Sequence, residues 1–97
     1  MVDLTHAIEN RRLVEFIYDG HPRVVIPTAY GIHATTGNSV LRGYQVRGTS
    51  KSRTVPLWDL FLIDKMVSPL VLEETFDGEP IGYALNDKHI SPIHAQL

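Results

Sequence analysis

The stretch "VEFIYDGHPRVVIPTAYGI", residues 14–32, decides the fold. In "VEFIY", Val14, Phe16 and Tyr18 alternate with Glu15 and Ile17, the period of a strand with one face buried. Asp19-Gly20 in "DGHP" is the strongest hairpin signal in the chain, because a two-residue I′ turn needs positive φ at both central positions. "RVVIPTAYGI" is the returning strand. Pro27 inside it cannot donate a ladder hydrogen bond, so that strand is an edge, bulged or broken there.

Before this hairpin, Leu4, Ala7, Ile8 and Arg11 fall at helical spacing. Asp3 or Thr5 can cap the helix, and Arg11 with Arg12 suits the negative end of its dipole. After it, "HATTGN" (33–38) is a loop with its turn at Gly37-Asn38. "SVLRGYQV" (39–46) reads as a third strand, "GTSKSR" (48–53) as a polar loop and "LWDLFLID" (57–64) as a fourth strand. "LVLEETF" (70–76) is a short fifth strand after Ser68-Pro69. "DGEPIGYALNDK" (77–88) is turn-rich, and "SPIHAQL" (91–97) is read as a final helical turn. A helix followed by about five short strands predicts a mainly β domain, bent into a small barrel rather than an open sheet. Trp58 is expected to fill its core with Phe61 and Phe16.

Ninety-seven residues suffice for one small domain and one core. The absence of cysteine excludes a disulfide framework and thiolate sites, and is compatible with a cytoplasmic location. No apolar run approaches the ~18 residues of a membrane span. The opening "MVDLTHAIENRR" has an acid at its third position and no long apolar region, so it does not read as a secretory signal.

The formal charge is −2, which argues against generic nucleic-acid affinity, but its distribution is uneven. From Gly20 to Trp58 there is no Asp or Glu, whereas Arg23, Arg42, Arg47, Lys51 and Arg53 all lie there. From Asp59 onward seven acids face only Lys65 and Lys88. Such asymmetry can create a local positive field, unless folding mixes the two halves.

Catalytic patterns are scarce. There is no G-x-S-x-G elbow and no phosphate-binding P-loop. His6, His21, His33, His89 and His94 lack ligand spacing, so no metal or other cofactor is expected. Asp59 and Asp64 could form an acid/base pair, but strand-end carboxylates are usually solvated. The chain reads as non-enzymatic.

The basic segment carries more. On strict alternation, Val40, Arg42, Tyr44 and Val46 share one face of the third strand, with Leu41, Gly43, Gln45 and Arg47 on the other. Arginine beside tyrosine suits a base stacked on the ring with its phosphate on the guanidinium. Gly43 would let a ligand or a second backbone come close. The competing reading makes Tyr44 half-buried core, with Arg42 lying over it. "SKSRT" (50–54) is either plain surface or a loop closing over an anion. The candidate anion-binding set is therefore Arg23, Arg42, Tyr44, Arg47, Lys51 and Arg53.

"AIENRRLVEFIYDGHPRVVIPTAYGI", then a loop, then "LRGYQVRG" and "WDLFLIDKM" resembles the WYL domain family over nearly the whole chain. The best-matching elements are the helix running into "VEFIYDG", Arg23 and Pro27 as R-x-x-x-P, and "FLIDKM" (61–66) against the family's F-R-L-D-R-I. The resemblance implies an Sm-like, SH3-type β-barrel: a single domain over 1–97, with a helix at about 3–12, a barrel at about 13–76 and a C-terminal extension at 77–97. It also implies a module of bacterial transcription regulators and phage-defence proteins, binding nucleotides, single-stranded nucleic acid or other anions and regulating an attached effector. Two departures stand out. The naming tripeptide falls at Ser39, Val40 and Leu41, leaving only Leu41. The two arginines of F-R-L-D-R-I are Leu62 and Lys65. Arg42, Tyr44 and Arg47, directly after the tripeptide, are candidates to compensate.

No helix-turn-helix occurs in these residues, so regulation would pass through a ligand, a separate effector protein or a homo-oligomer. The alternative is a protein-interaction or self-assembly module that pairs through strand edges and has lost the ligand site.

Overall fold

A computed structural model of the chain describes residues 2–51 and 53–97. The hairpin forms as its sequence demands: β1 (Arg12–Tyr18) turns at Asp19 and Gly20, with φ of 52° and 77°, into β2 (His21–His33). Their register runs from Val14↔Val25 to Tyr18↔His21. A second hairpin leads to β3 (Ser39–Gly48) and a longer loop to β4 (Leu57–Leu62). A three-residue 3-10 turn, Ile63–Lys65, joins β4 to β5 (Val67–Thr75). The main order is β4-β3-β2-β1-β5, all antiparallel.

The fold is thus mainly β with one short helix, and the sheet is open: β4 and β5 end its order without pairing to each other. A sixth strand adds to it. "ISPIHAQ", expected to end in a helical turn, is β6 (Ile90–Gln96), pairing with the second half of β2 from Ala29↔Gln96 to His33↔Ile90. The segment extends rather than coils because β1 covers only the first half of β2, leaving an open edge on which Ile90, Ile93, Ala95 and Gln96 find partners. Gly31 permits the approach, since a Cβ there would sit 2.3 Å from the Pro92 carbonyl oxygen.

Helix α1 (Leu4–Glu9) is shorter than the sequence pattern suggested. Asp3 is its cap, its Oδ1 accepting from His6 N at 2.9 Å. The chain leaves the helix at Arg11 (φ 49°), so Arg11 and Arg12 bond not to the helix end but to the Gly78 and Leu72 carbonyls. Leu4, Ala7 and Ile8 cover the inner face of the sheet, where Val14, Phe16, Tyr18, Val25, Leu41, Phe61 and Met66 form the main core. Phe16, Tyr18 and Phe61 meet edge-to-face at 5.0–6.2 Å.

Two bulges in the β2–β3 pairing set which side chains of these strands face which way. Pro27 pairs with Gly43 but Ala29 pairs with Arg42, so Thr28 is the extra residue, its Oγ1 donating to the Arg42 carbonyl at 2.9 Å. Pro27 therefore sits in a central strand, at a bulge that tolerates its missing donor. Beyond it, Ala29 joins Val40 and Ile90 in a second, smaller core on the outer face, with Leu60, Leu62 and Ile93 packed against it.

Candidate functional site

The C-terminal segment crosses the outer face of the sheet and leaves a cleft of about 400 Å³ between them. Thr28, Arg42 and Trp58 line it from the sheet, and Tyr83, Asp87 and His89 from the segment. Arg42 reaches it because its position on β3 points outward, opposite Ala29 and Leu60.

Trp58 is here, not in the core. It pairs with Tyr44 across β4 and β3, on the face opposite Phe61, with ring centroids 5.0 Å apart. The alternation of β4 dictates this: Leu57 and Phe61 are buried, so Trp58 projects outward. Its indole Nε1–H donates to the Ile81 carbonyl at 3.0 Å, seating the segment on the sheet.

The dominant polar contact is between Arg42 and Asp87, with Nε donating to Oδ2 at 2.6 Å. Both side chains are more than three-quarters buried. The other carboxylate oxygen accepts the backbone N–H of His89 at 3.0 Å. Burial alone would raise the Asp87 carboxyl, but the hydrogen bonds from Arg42 and His89, with the Arg42 charge, hold it below the usual carboxylate range. His89 stacks against His33 with ring centroids 6.3 Å apart. Tyr83 closes the segment by donating its hydroxyl to the Leu97 carbonyl at 2.8 Å.

The other residues of the expected anion set are dispersed. Arg23 lies in the inner core, 3% exposed. Its Nη atoms donate to the Tyr18 carbonyl and Gln45 Oε1, and the guanidinium lies over the Tyr18 and Phe61 rings at 5.3 and 5.7 Å. Strict alternation puts Arg47 on the face of Gln45, but Val46 is bulged out of register, and Arg47 emerges into solvent. There it makes a two-pronged pair with Glu74 at 2.8 and 2.9 Å. That contact raises the Arg47 pKa and lowers that of Glu74. Arg53 pairs with Asp59 at 2.8 Å, which ties up half of the Asp59–Asp64 acid/base candidate. Lys51 is exposed, and its neighbour Ser52 lies outside the described residues. The space at Gly43 is taken by the protein itself: a Cβ would lie 2.2 Å from Val25 Cγ1, so this glycine serves core packing.

Folding therefore brings acids of the second half onto the basic segment, as Arg42–Asp87, Arg47–Glu74 and Arg53–Asp59. Only Arg42 of the expected set lines the cleft, and Tyr44 supports it from behind Trp58. Sequence reasoning missed Asp87 and His89, which stand in a turn-rich stretch without spacing of their own. Among the described residues, no group of three or more His, Asp or Glu is placed to hold a metal ion, and no helix is long and apolar enough to cross a membrane. No protein-family model matches the chain, and neither a curated protein nor a solved structure matches it significantly.

Proposed function

We propose that the chain is a compact, WYL-like, non-enzymatic regulatory module of the cytoplasm that senses a small anionic ligand with a flat ring, such as a nucleotide. The observation that carries this reading is the cleft under the C-terminal segment, where one arginine and one indole converge. Arg42 would take the phosphate and Trp58 the ring, the pairing that anion and base chemistry favour. A mononucleotide fits better than a nucleic-acid strand, because Arg47 and Arg53 already have carboxylate partners and form no continuous basic track. The Sm/SH3-like part of the reading is supported by the strand order, whose two end strands, β4 and β5, are joined by a single tight turn.

Trp58 is the only tryptophan, so its emission reports on the cleft. Titration with a nucleotide panel should give a saturable change that weakens with salt. Arg42→Ala should abolish it and Arg47→Ala leave it intact. A folded protein that shows no change at low salt defeats the reading.

A second reading, self-association, is favoured by one specific observation. Ile17, Val67 and Leu70 are 41%, 55% and 53% exposed on β1 and β5, and the outer edge of β5 pairs with no strand among the described residues. Light scattering after size exclusion would then give a dimer or ring that Leu70→Lys returns to monomer.

A further inference from the structure

We propose that Asp87 is a built-in competitor for Arg42: its carboxylate holds the guanidinium when the cleft is empty and turns aside when a phosphate or carboxylate ligand binds. This rests on the cleft being the ligand site.

The geometry has three parts. First, Asp87 engages Arg42 through Nε alone, and it is the only acceptor for that side chain among the described residues. A guanidinium presents five donors in a fixed fork, and a phosphate or carboxylate that takes Nε together with one Nη makes a two-pronged pair in place of the single contact Nε now has, so ligand and Asp87 compete for the same donor. Second, the backbone around Asp87 is anchored without its carboxylate. Asn86 exchanges two hydrogen bonds with the Gln96 side chain at 3.0 and 3.1 Å. The His89 carbonyl accepts from Ala34 N at 2.8 Å, and Ile90 is buried in the outer core. The side chain can therefore rotate away while the segment stays seated. Third, Lys88 also lines the cleft, so with the Asp87 carboxylate turned aside two cations, Arg42 and Lys88, face the space.

The consequence is a lowered apparent affinity. Ligand binds only the fraction of molecules in which Arg42 is released, and the observed constant weakens by that fraction. Asparagine at this position keeps the size and the acceptor for His89 N–H but removes the charge.

The test is calorimetric titration with adenosine 5′-monophosphate and, separately, inorganic phosphate, on the wild type, Asp87→Asn, Arg42→Ala and the double variant. Asp87→Asn should bind the nucleotide about tenfold more tightly, the change expected from one lost charge-assisted competitor. That gain should vanish in the Arg42→Ala background. Nucleotide binding tighter than phosphate binding assigns the remainder to the ring. Wild-type binding with an equal or weaker Asp87→Asn constant overturns the competitor and leaves the ligand site standing. No binding by any variant overturns both. Should Asp87→Asn fail to fold by circular dichroism, the wild type decides by carbon NMR: the Asp87 carboxyl resonance must move on saturation with the nucleotide, and a stationary one overturns the proposal.

Discussion

The two faces of the sheet each hold an arginine on neighbouring strands, and they treat it in opposite ways. On the inner face Arg23 is enclosed by the Tyr18 and Phe61 rings, with two neutral acceptors and a buried Nε that has no partner among the described residues. On the outer face Arg42 is matched by a full counter-charge, Asp87, beside open space. The first arrangement cannot be exchanged for a ligand without dismantling the core. The second needs one side chain to rotate.

The sharpest way to break this contrast is to attack the inner face alone. Phe61→Ala removes the ring at the centre of the aromatic cluster and should cost about 3–5 kcal/mol in urea denaturation. Nucleotide affinity of the fraction still folded should be unchanged, because Phe61 does not line the cleft. A smaller effect is expected for Arg23→Met, which fills the same space without charge but leaves the Tyr18 carbonyl and Gln45 Oε1 unpaired. That should cost about 1–3 kcal/mol by the same measurement and leave ligand binding intact. Loss of binding in folded Arg23→Met would make the inner arginine part of the site and erase the distinction.

Acid sharpens the comparison from the other side. The Asp87 and Glu74 carboxyls are lowered in the folded protein. Asp87, enclosed with Arg42, makes a contribution to stability that is complete above the unfolded carboxylate range and is lost as pH falls from about 5 toward 2, whereas solvent screens that of Glu74. Unfolding followed across that window should show a shallower loss in Asp87→Asn than in the wild type. The smallest effect belongs to Arg47→Ala. Its pair with Glu74 is held in solvent, so denaturation midpoints should be indistinguishable from wild type at moderate salt.

Much of the fold was legible because it is local. Asp19-Gly20 specifies its turn, the alternation of Val14, Phe16 and Tyr18 specifies a buried face, and Asp3 caps the helix, each through neighbours a few residues away. The site was less legible. Arg42 lines the cleft, but the sequence groups it with Arg23 and Arg47, which lie in the core and in solvent. The sequence reading puts Trp58 in the core with Phe61 and Phe16, whereas its position in β4 places it outside with Tyr44.

By itself the sequence determined a mainly β chain opening on a short capped helix, with a tight first hairpin and a basic middle segment; these follow from turn chemistry, period and composition. Only the tertiary structure decided which side of the sheet each residue serves. Bulges at Thr28 and Val46 each insert one residue and reverse the parity that alternation would extrapolate. It also decided which charges remain available, because Asp87 lies 45 residues from Arg42 and Glu74 lies 27 from Arg47. Coulomb attraction depends on distance in space, and no pattern of spacing along the chain encodes that distance until the strands have paired.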